Sequence, residues 1–486
     1  MSDRPNILFL MTDQMQGRVL EPDHPCQTPN LDRLAARGVR FRRAYTPNAV
    51  CSPARASLMT GLLPHNHGVT DVIHCVDEDQ SNLRTDKPHW AQRLREAGYL
   101  TGYFGKWHIE RTDDLSRFGW DVDGGNRSQR YQAKQREVNG RAAGKETFLL
   151  RKTNDLPPGY RRTPLYGVTT RRPEERRIAV AVELAEEFLR EAIGGERPWC
   201  CFVSINEPHD PFIAGEESFR RYDVDAIPLA PNVHDNLEGC PGIYRKVAAT
   251  WADLSDRQKR EAAACYYALI SEIDAMYGRL LSLLERTGVL EKTIVVFTSD
   301  HGELLGAHGL YTKNYSGFEE VYNIPLILAG PGIARGAVSE ARVGLHDLCP
   351  TLLELAGLPP IENSDSRSFA PAARDPERES GSYRQGYAEY FGTRYRLTQR
   401  VIWDGDWKYC HNGFDFDELY NLKDDPYEMR NLAADPAYAA QVRLMLGLMW
   451  RRIKETGDHV LLNTHAPILR AAPIGPLMIE EGFAEA

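Results

Sequence analysis

The chain has 486 residues, 42% hydrophobic and 26% charged, a globular composition long enough to bury large cores and too long for one simple small domain. A formal charge of −9 over this length gives no electrostatic case for nucleic acid or an acidic membrane surface as a partner. No apolar run is long enough to cross a bilayer, so no membrane partner is expected.

The first apolar stretch is also too short for a secretory signal and reads as a strand. Nine cysteines, odd in number and irregularly spaced, argue against a disulfide framework, and no CxxC pair suggests zinc. A reducing cytoplasm is the expected setting. The run Asn6-Ile-Leu-Phe-Leu-Met11 predicts a strand buried on both faces of a largely parallel sheet. It ends in Thr12-Asp13-Gln14, where ligands of open α/β sheets bind; Asp13 there suits a metal carboxylate or, equally, a turn residue. Residues 28–38 carry a cap, a proline, periodic leucines and a terminal glycine, which predicts a helix, followed by a strand over 39–45.

Next comes Cys51-Ser-Pro-Ala-Arg55. Pro53 fits a first helical turn, and Gly61 is a C-terminal stop. Cys51 then sits at a helix N-terminus, which favours an anion, with Arg55 one turn on along the same face. Taken alone, a cysteine there reads as a buried core residue. His65 and His67 are assigned to a structural loop. Residues 89–98 predict a helix, and 99–104 a strand running into Gly105-Lys106-Trp107-His108. Alone, Lys106 and His108 could be a solvated cation and a packed ring. Residues 111–174, polar and weakly periodic, look like an insertion over the sheet edge that shapes substrate access.

A helix is predicted over 173–193 and a buried strand over 199–205, leading to Pro208-His209-Asp210-Pro211. Residues 215–255 look irregular; 256–288 predict a long helix. The run 293–298 is the clearest buried strand and ends in Ser299-Asp300-His301-Gly302-Glu303. If it neighbours the first strand, Asp300 and His301 meet Asp13. Lys313, a strand over 324–329 and a helix over 347–357 follow. A Pro-, Ser- and Arg-rich stretch near 359–376 marks a boundary. Beyond it lie short strand-like runs at 400–403, 407–409 and 417–421 and a helix over 436–456. The expected division is a catalytic α/β domain over 1–360, a C-terminal subdomain over 361–456, and a tail over 457–486 that could dock on another subunit in a homo-oligomer.

Asp13-Gln14, Cys51 with Arg55, Lys106 with His108, His209, and Asp300-His301 with Lys313 all fall at strand ends or adjacent loops. Hard oxygens with an imidazole suit one divalent ion, and the remaining cations suit a tetrahedral oxyanion. Cys-x-Pro-x-Arg, with the strand-Asp, Gly-Lys-Trp-His, Pro-His and Ser-Asp-His-Gly elements in order over about residues 4–435, resembles the type I sulfatases of the alkaline-phosphatase-like superfamily. That resemblance implies a large, mixed, mostly parallel sheet sandwiched by helices, with a smaller C-terminal α+β domain. It implies Cys51 oxidised to formylglycine by a maturation enzyme, with Asp13, Gln14, residue 51, Asp300 and His301 around Ca²⁺, or else Mn²⁺ or Mg²⁺. Arg55 would stabilise the aldehyde hydrate, and Lys106 and Lys313 would hold sulfate oxygens. His209 with Lys313 would protonate the leaving alcohol. His108 would take the proton from the second hydroxyl, so that sulfate leaves.

Two positions depart from the commonest pattern of that family. Gln14 stands where many members have a second aspartate, and His301 where many have asparagine. Both look like the phosphonate monoester hydrolases and some alkyl- and choline-type sulfatases. The expected function is therefore hydrolysis of small sulfate esters, with phosphonate monoester or phosphodiester hydrolysis as the alternative. A non-catalytic oxyanion-binding protein is the third class.

Overall fold

The run after Asn6 forms β1 (Asn6–Asp13). Its alternate side chains enter different cores: Leu8 and Leu10 one, Ile7, Phe9 and Met11 the other. A strand apolar on both faces must be covered on both, and β1 lies mid-sheet. In the computed structural model, residues 4–77, 83, 86–112, 114–142, 144, 146–154, 162–313, 315–393 and 397–462 are described.

The following strands in chain order are β2 (Gly38–Tyr45), β3 (Leu100–Gly105), β4 (Val122–Gly125), β5 (Phe148–Asn154), β6 (Thr163–Thr169), β7 (Trp199–Pro208), β8 (Phe212–Gly215), β9 (Thr293–Ser299), β10 (Leu326–Ala329) and β11 (Ala337–Gly344). The main sheet has eight strands in the order β11-β2-β10-β9-β1-β7-β3-β4. β10 is antiparallel to both neighbours; the other pairings are parallel. β1 pairs with β7 on one side and β9 on the other, so the carboxyl ends of β1, β3, β7 and β9 open on one rim.

Helices Pro29–Ala36, Ile178–Ile193 and Asp256–Arg286 cover one face. Helices Cys51–Thr60, Trp90–Glu96 and Leu348–Leu355 cover the other. The long helix starts in a capping box between Ser255 and Gln258. Thr28 makes no side-chain cap for the helix behind it. Instead Asp274 of the long helix accepts the N–H groups of Asn30 (3.0 Å) and Leu31 (2.8 Å), so one helix caps the other.

After residue 380 a four-stranded antiparallel sheet forms from β12 (Gln385–Tyr390), β13 (Gln399–Asp404), β14 (Trp407–Asn412) and β15 (Glu418–Asn421). Helix Ala439–Thr456 packs on it through Met445, Met449, Trp450 and Ile453. Val401, Trp403 and Cys410 pack from the other face against Leu304, Leu310 and Phe318, in the loop that carries Lys313.

Three expectations change. The segment 111–174 is not a plain insertion. It supplies the edge strand β4, helix Gln129–Gly140 and a β5–β6 hairpin completed by β8. β11 and β12 were not anticipated. β11 is an edge strand whose exposed positions carry Val338 and Glu340, so its pattern does not alternate cleanly. The tail contributes helix His459–Leu462; residues 463–486 lie outside the described residues.

Candidate active site

Each site residue hangs on the rim by a short lever. Asp13 is the last residue of β1, Lys106 follows β3, His209 follows β7 and Asp300 follows β9. Cys51 is the first residue of its helix, behind Val50 as cap, and Gly61 ends that helix in a left-handed conformation (φ 71°). Gln14 (φ 68°) and His108 (φ 58°) hold the left-handed region disfavoured for side chains with a Cβ. Two such residues flanking one centre mark a backbone held in place by its surroundings.

The ten singled-out residues converge. Cys51 Sγ lies 3.2 Å from His301 Nε2, 3.2 Å from Lys313 Nζ and 3.8 Å from Asp13 Oδ1. Lys106 Nζ is ion-paired with Asp13. Two nitrogens of the Arg55 guanidinium are committed: Nε donates to Asp300 Oδ2 (2.7 Å), and Nη1 to Lys106 O and Ser204 Oγ (both 2.8 Å). Its Nη2 stands 3.5 Å from Asp13 Oδ2. Lys313 Nζ reaches Gln14 Oε1 (2.8 Å) and His209 Nε2 (2.6 Å). An ammonium only donates, so His209 carries its ring proton on Nδ1, which donates to Asp210 O at 2.8 Å. His65 and His67 lie outside this centre; His67 bonds Ser57 Oγ at 2.9 Å.

Charge balance governs the protonation states. Burial pushes the Cys51 thiol up, but Lys106, Lys313 and His301 outweigh it and hold the thiol well below its usual range. Burial and Cys51 raise the Asp13 carboxyl; Lys106, His209 and Lys313 bring it below the ordinary carboxylate range. Burial and Lys106 push His108 down to about 4, so its ring is neutral near pH 7. For His209, burial and Lys313 pull down, Asp13, Cys51 and Asp210 pull up, and the net direction is upward.

Asp13, Cys51, Asp300 and His301 each offer one ligand atom, all buried and all within 4.8 Å of one another. Two carboxylates and an imidazole, with the Gln14 amide oxygen alongside, fit a divalent cation. A second group, His65, Glu389 and Asp458, has the same compactness but no free donor. Both ring nitrogens of His65 are bonded, and Arg400 covers Asp458.

Four residues without an assigned role join the centre. Ser204 and Tyr103 hold its second layer, Tyr103 Oη donating to Lys106 O at 2.5 Å. Asp210 and Glu303 accept from Gln14 Nε2. Burial, with Asp210 nearby, pushes the Glu303 carboxyl up to about 7, against backbone N–H groups that favour its ionised form. Asp210 and Glu303 sit inside the Pro-His and Asp-His-Gly motifs; their partners come from distant loops. Beside Lys106 a polar cavity of about 110 Å³ is lined by Asn126, Tyr131 and Gln135 with Arg177, Asn206 and Glu207, so the 111–174 segment does reach the rim of the site.

Residues 5–358 match the family model described as Sulfatase, and 306–455 the model of the N-sulphoglucosamine sulphohydrolase C-terminal region. A choline-sulfatase from Rhizobium meliloti is 32% identical, covering 89% of this chain and 83% of its own. A multifunctional alkaline phosphatase superfamily protein from Trinickia caryophylli is 31% identical over 92% of this chain and 95% of its own. Among solved structures, a phosphonate monoester hydrolase from Silicibacter pomeroyi superposes with a TM-score of 0.75 at 25% identity, covering 94% of this chain and 97% of the other.

Proposed function

The chain belongs to the sulfatase family, and we propose from its centre that it hydrolyses small sulfate monoesters through a nucleophile carried at position 51. The observation that carries the proposal is the buried convergence of Asp13, Cys51, Asp300 and His301 inside a ring of three cations, Arg55, Lys106 and Lys313. Cys51 is the precursor of formylglycine, made by a formylglycine-generating or equivalent maturation enzyme. Asp13, Gln14, residue 51, Asp300 and His301 would hold the divalent cation. The oxygen-rich set favours Ca²⁺, with Mn²⁺ and Mg²⁺ as the other choices. When bound, that cation supplies positive charge that lowers the pKa of the attacking hydroxyl and neutralises the ester oxygens.

A hydrated aldehyde carries two hydroxyls on one carbon: one attacks sulfur in line with the leaving alcohol, the other later expels the sulfate. Lys106 and Lys313 would hold sulfate oxygens, and Arg55 fixes Asp300 and the Lys106 backbone. Lys313 donates into His209 Nε2 across 2.6 Å, and this pair would supply the proton that the leaving oxygen needs. His108, neutral and beside Cys51, takes the proton from the second hydroxyl.

Phosphonate monoester hydrolysis is the second reading, favoured by the amide of Gln14 in place of a carboxylate and by the hydrolase neighbour. The nine cysteines, all unpaired, support a reducing cytoplasmic setting. The test is the mass of the peptide containing residue 51 from natively produced protein, together with a Cys51→Ala variant. The proposal expects CH₂SH replaced by CHO and turnover abolished. An unmodified cysteine in active protein, or full turnover by Cys51→Ala, overturns it.

A further inference from the structure

Gln14 has the most constrained side-chain amide of the centre. Its Nε2 faces Asp210 Oδ1 at 3.0 Å and Glu303 Oε2 at 2.5 Å, and its Oε1 faces Lys313 Nζ at 2.8 Å. Asp210 accepts at one end and the Lys313 ammonium only donates at the other, so these neighbours permit a single orientation, the one in which Glu303 Oε2 also accepts. A flipped amide would set N–H against the ammonium and oxygen against two carboxylates.

The two carboxylates differ in rigidity. Asp210 is partly exposed and also lies 3.3 Å from His209 Nδ1. Glu303 is fully buried, and its Oε1 accepts the backbone N–H groups of Leu305 (2.9 Å) and Thr312 (2.6 Å). Those two bonds fix the plane of the carboxylate and leave Oε2 for Gln14. Thr312 is the neighbour of Lys313, so the fold-back that anchors Glu303 also delivers the cation to the other end of the same amide.

We propose that Glu303 is a positioning residue that dictates which atom Gln14 presents to the metal-binding centre. By holding Nε2 outward it keeps Oε1 directed at Lys313, whose Nζ also lies 3.2 Å from Cys51 Sγ. The inference rests on the metal-binding reading above. It also gives a physical reason for glutamine at position 14. A carboxylate there would remove the N–H that Glu303 and Asp210 accept and would set three carboxyl groups at hydrogen-bond distance.

The test is a double-mutant cycle on the full chain, uniformly matured by mass, reading Mn²⁺ and Ca²⁺ dissociation constants by calorimetry. In Glu303→Gln the carbonyl stays on the Leu305 and Thr312 amides. The new NH₂ then meets Gln14 Nε2, donor against donor, and Gln14 must turn. Metal affinity is expected to fall by about 10- to 100-fold. Gln14→Glu changes ligand charge as well as hydrogen bonding, so its single effect is not diagnostic. Its effect in the Glu303→Gln background is: there the new carboxylate accepts from the new amide, and Asp210 is free to turn to solvent. Gln14→Glu is expected to be at least about tenfold more favourable to metal binding in that background than in wild type.

Thermal midpoints of the four metal-free proteins read the same coupling, with the double variant more stable than Gln14→Glu alone. An additive cycle in affinity, or Glu303→Gln binding metal within about twofold of wild type, overturns the positioning role while leaving the sulfatase reading intact. A wild-type chain that binds neither ion overturns both.

Discussion

His65 offers a charge state that can be read from geometry and then measured. Its Nδ1 lies 2.5 Å from Glu389 Oε1 and its Nε2 3.0 Å from the carbonyl oxygen of Thr456. Both partners only accept, so both ring nitrogens must carry protons and the ring is an imidazolium. Burial opposes that charge, but the bond to Glu389 and its carboxylate overcome it and push His65 from 6.5 up to about 9. The side chain is 3% exposed, so solvent screening is small. A folded-state pKa above the unfolded one gives stability that is fully present below pH 6.5 and lost as pH rises through about 9. Linkage gives roughly 3 kcal/mol at pH 6, roughly 2 at pH 7.5 and roughly 0.2 at pH 9.5. His65→Gln removes the charge and keeps one donor. Urea unfolding of both proteins, followed by fluorescence of the buried Trp450 on the same C-terminal helix, reads the difference. The wild-type advantage should be largest at pH 6 and nearly gone at pH 9.5. A gap that stays constant or widens with rising pH means that His65 is neutral and the reasoning is wrong.

Two catalytic variants separate the roles of the imidazoles. His209→Ala should lose about 10²- to 10⁴-fold in kcat with an alkyl ester, whose leaving oxygen needs a proton, and much less with a nitrophenyl ester; equal losses with both would remove His209 as the acid. His108→Ala should release one alcohol per active site in a burst with little free sulfate, because the step proposed for His108 follows transfer. Steady production of both products at equal rates would contradict that order.

The sequence exposes this centre because the chemistry sits where apolar runs stop. Asp13 ends a buried strand and Lys106, His209 and Asp300 each follow one, and each is visible as a polar residue closing such a run. What the runs do not encode is neighbourhood. Only the pairing of β1 with both β7 and β9 brings Asp13, His209 and Asp300 to one rim. Lys313 was legible as a cation after the Asp-His-Gly motif. Its delivery depends on a fold-back in which Leu304 N–H bonds Thr312 O and Glu303 N–H bonds Glu320 O. Glu303 was visible as a letter beside the motif, but its role rests on an amide orientation that no one-dimensional pattern carries. Segment 111–174 read as irregular because helix Gln129–Gly140 buries only Tyr131 and Val138 among its polar residues. The aliphatic signal is too sparse for a period.

The most direct test of the central claim is a paired rate comparison on matured protein. A sulfate monoester and a phosphonate monoester sharing one aryl leaving group are compared by kcat/KM, first with Ca²⁺ and then with Mn²⁺. A shared leaving group isolates recognition of the transferred centre. The account predicts a much higher kcat/KM for the sulfate ester, abolished by Cys51→Ala. A higher value for the phosphonate would show that Gln14 and His301 serve a different ester, and would contradict the sulfatase assignment while leaving the nucleophile in place.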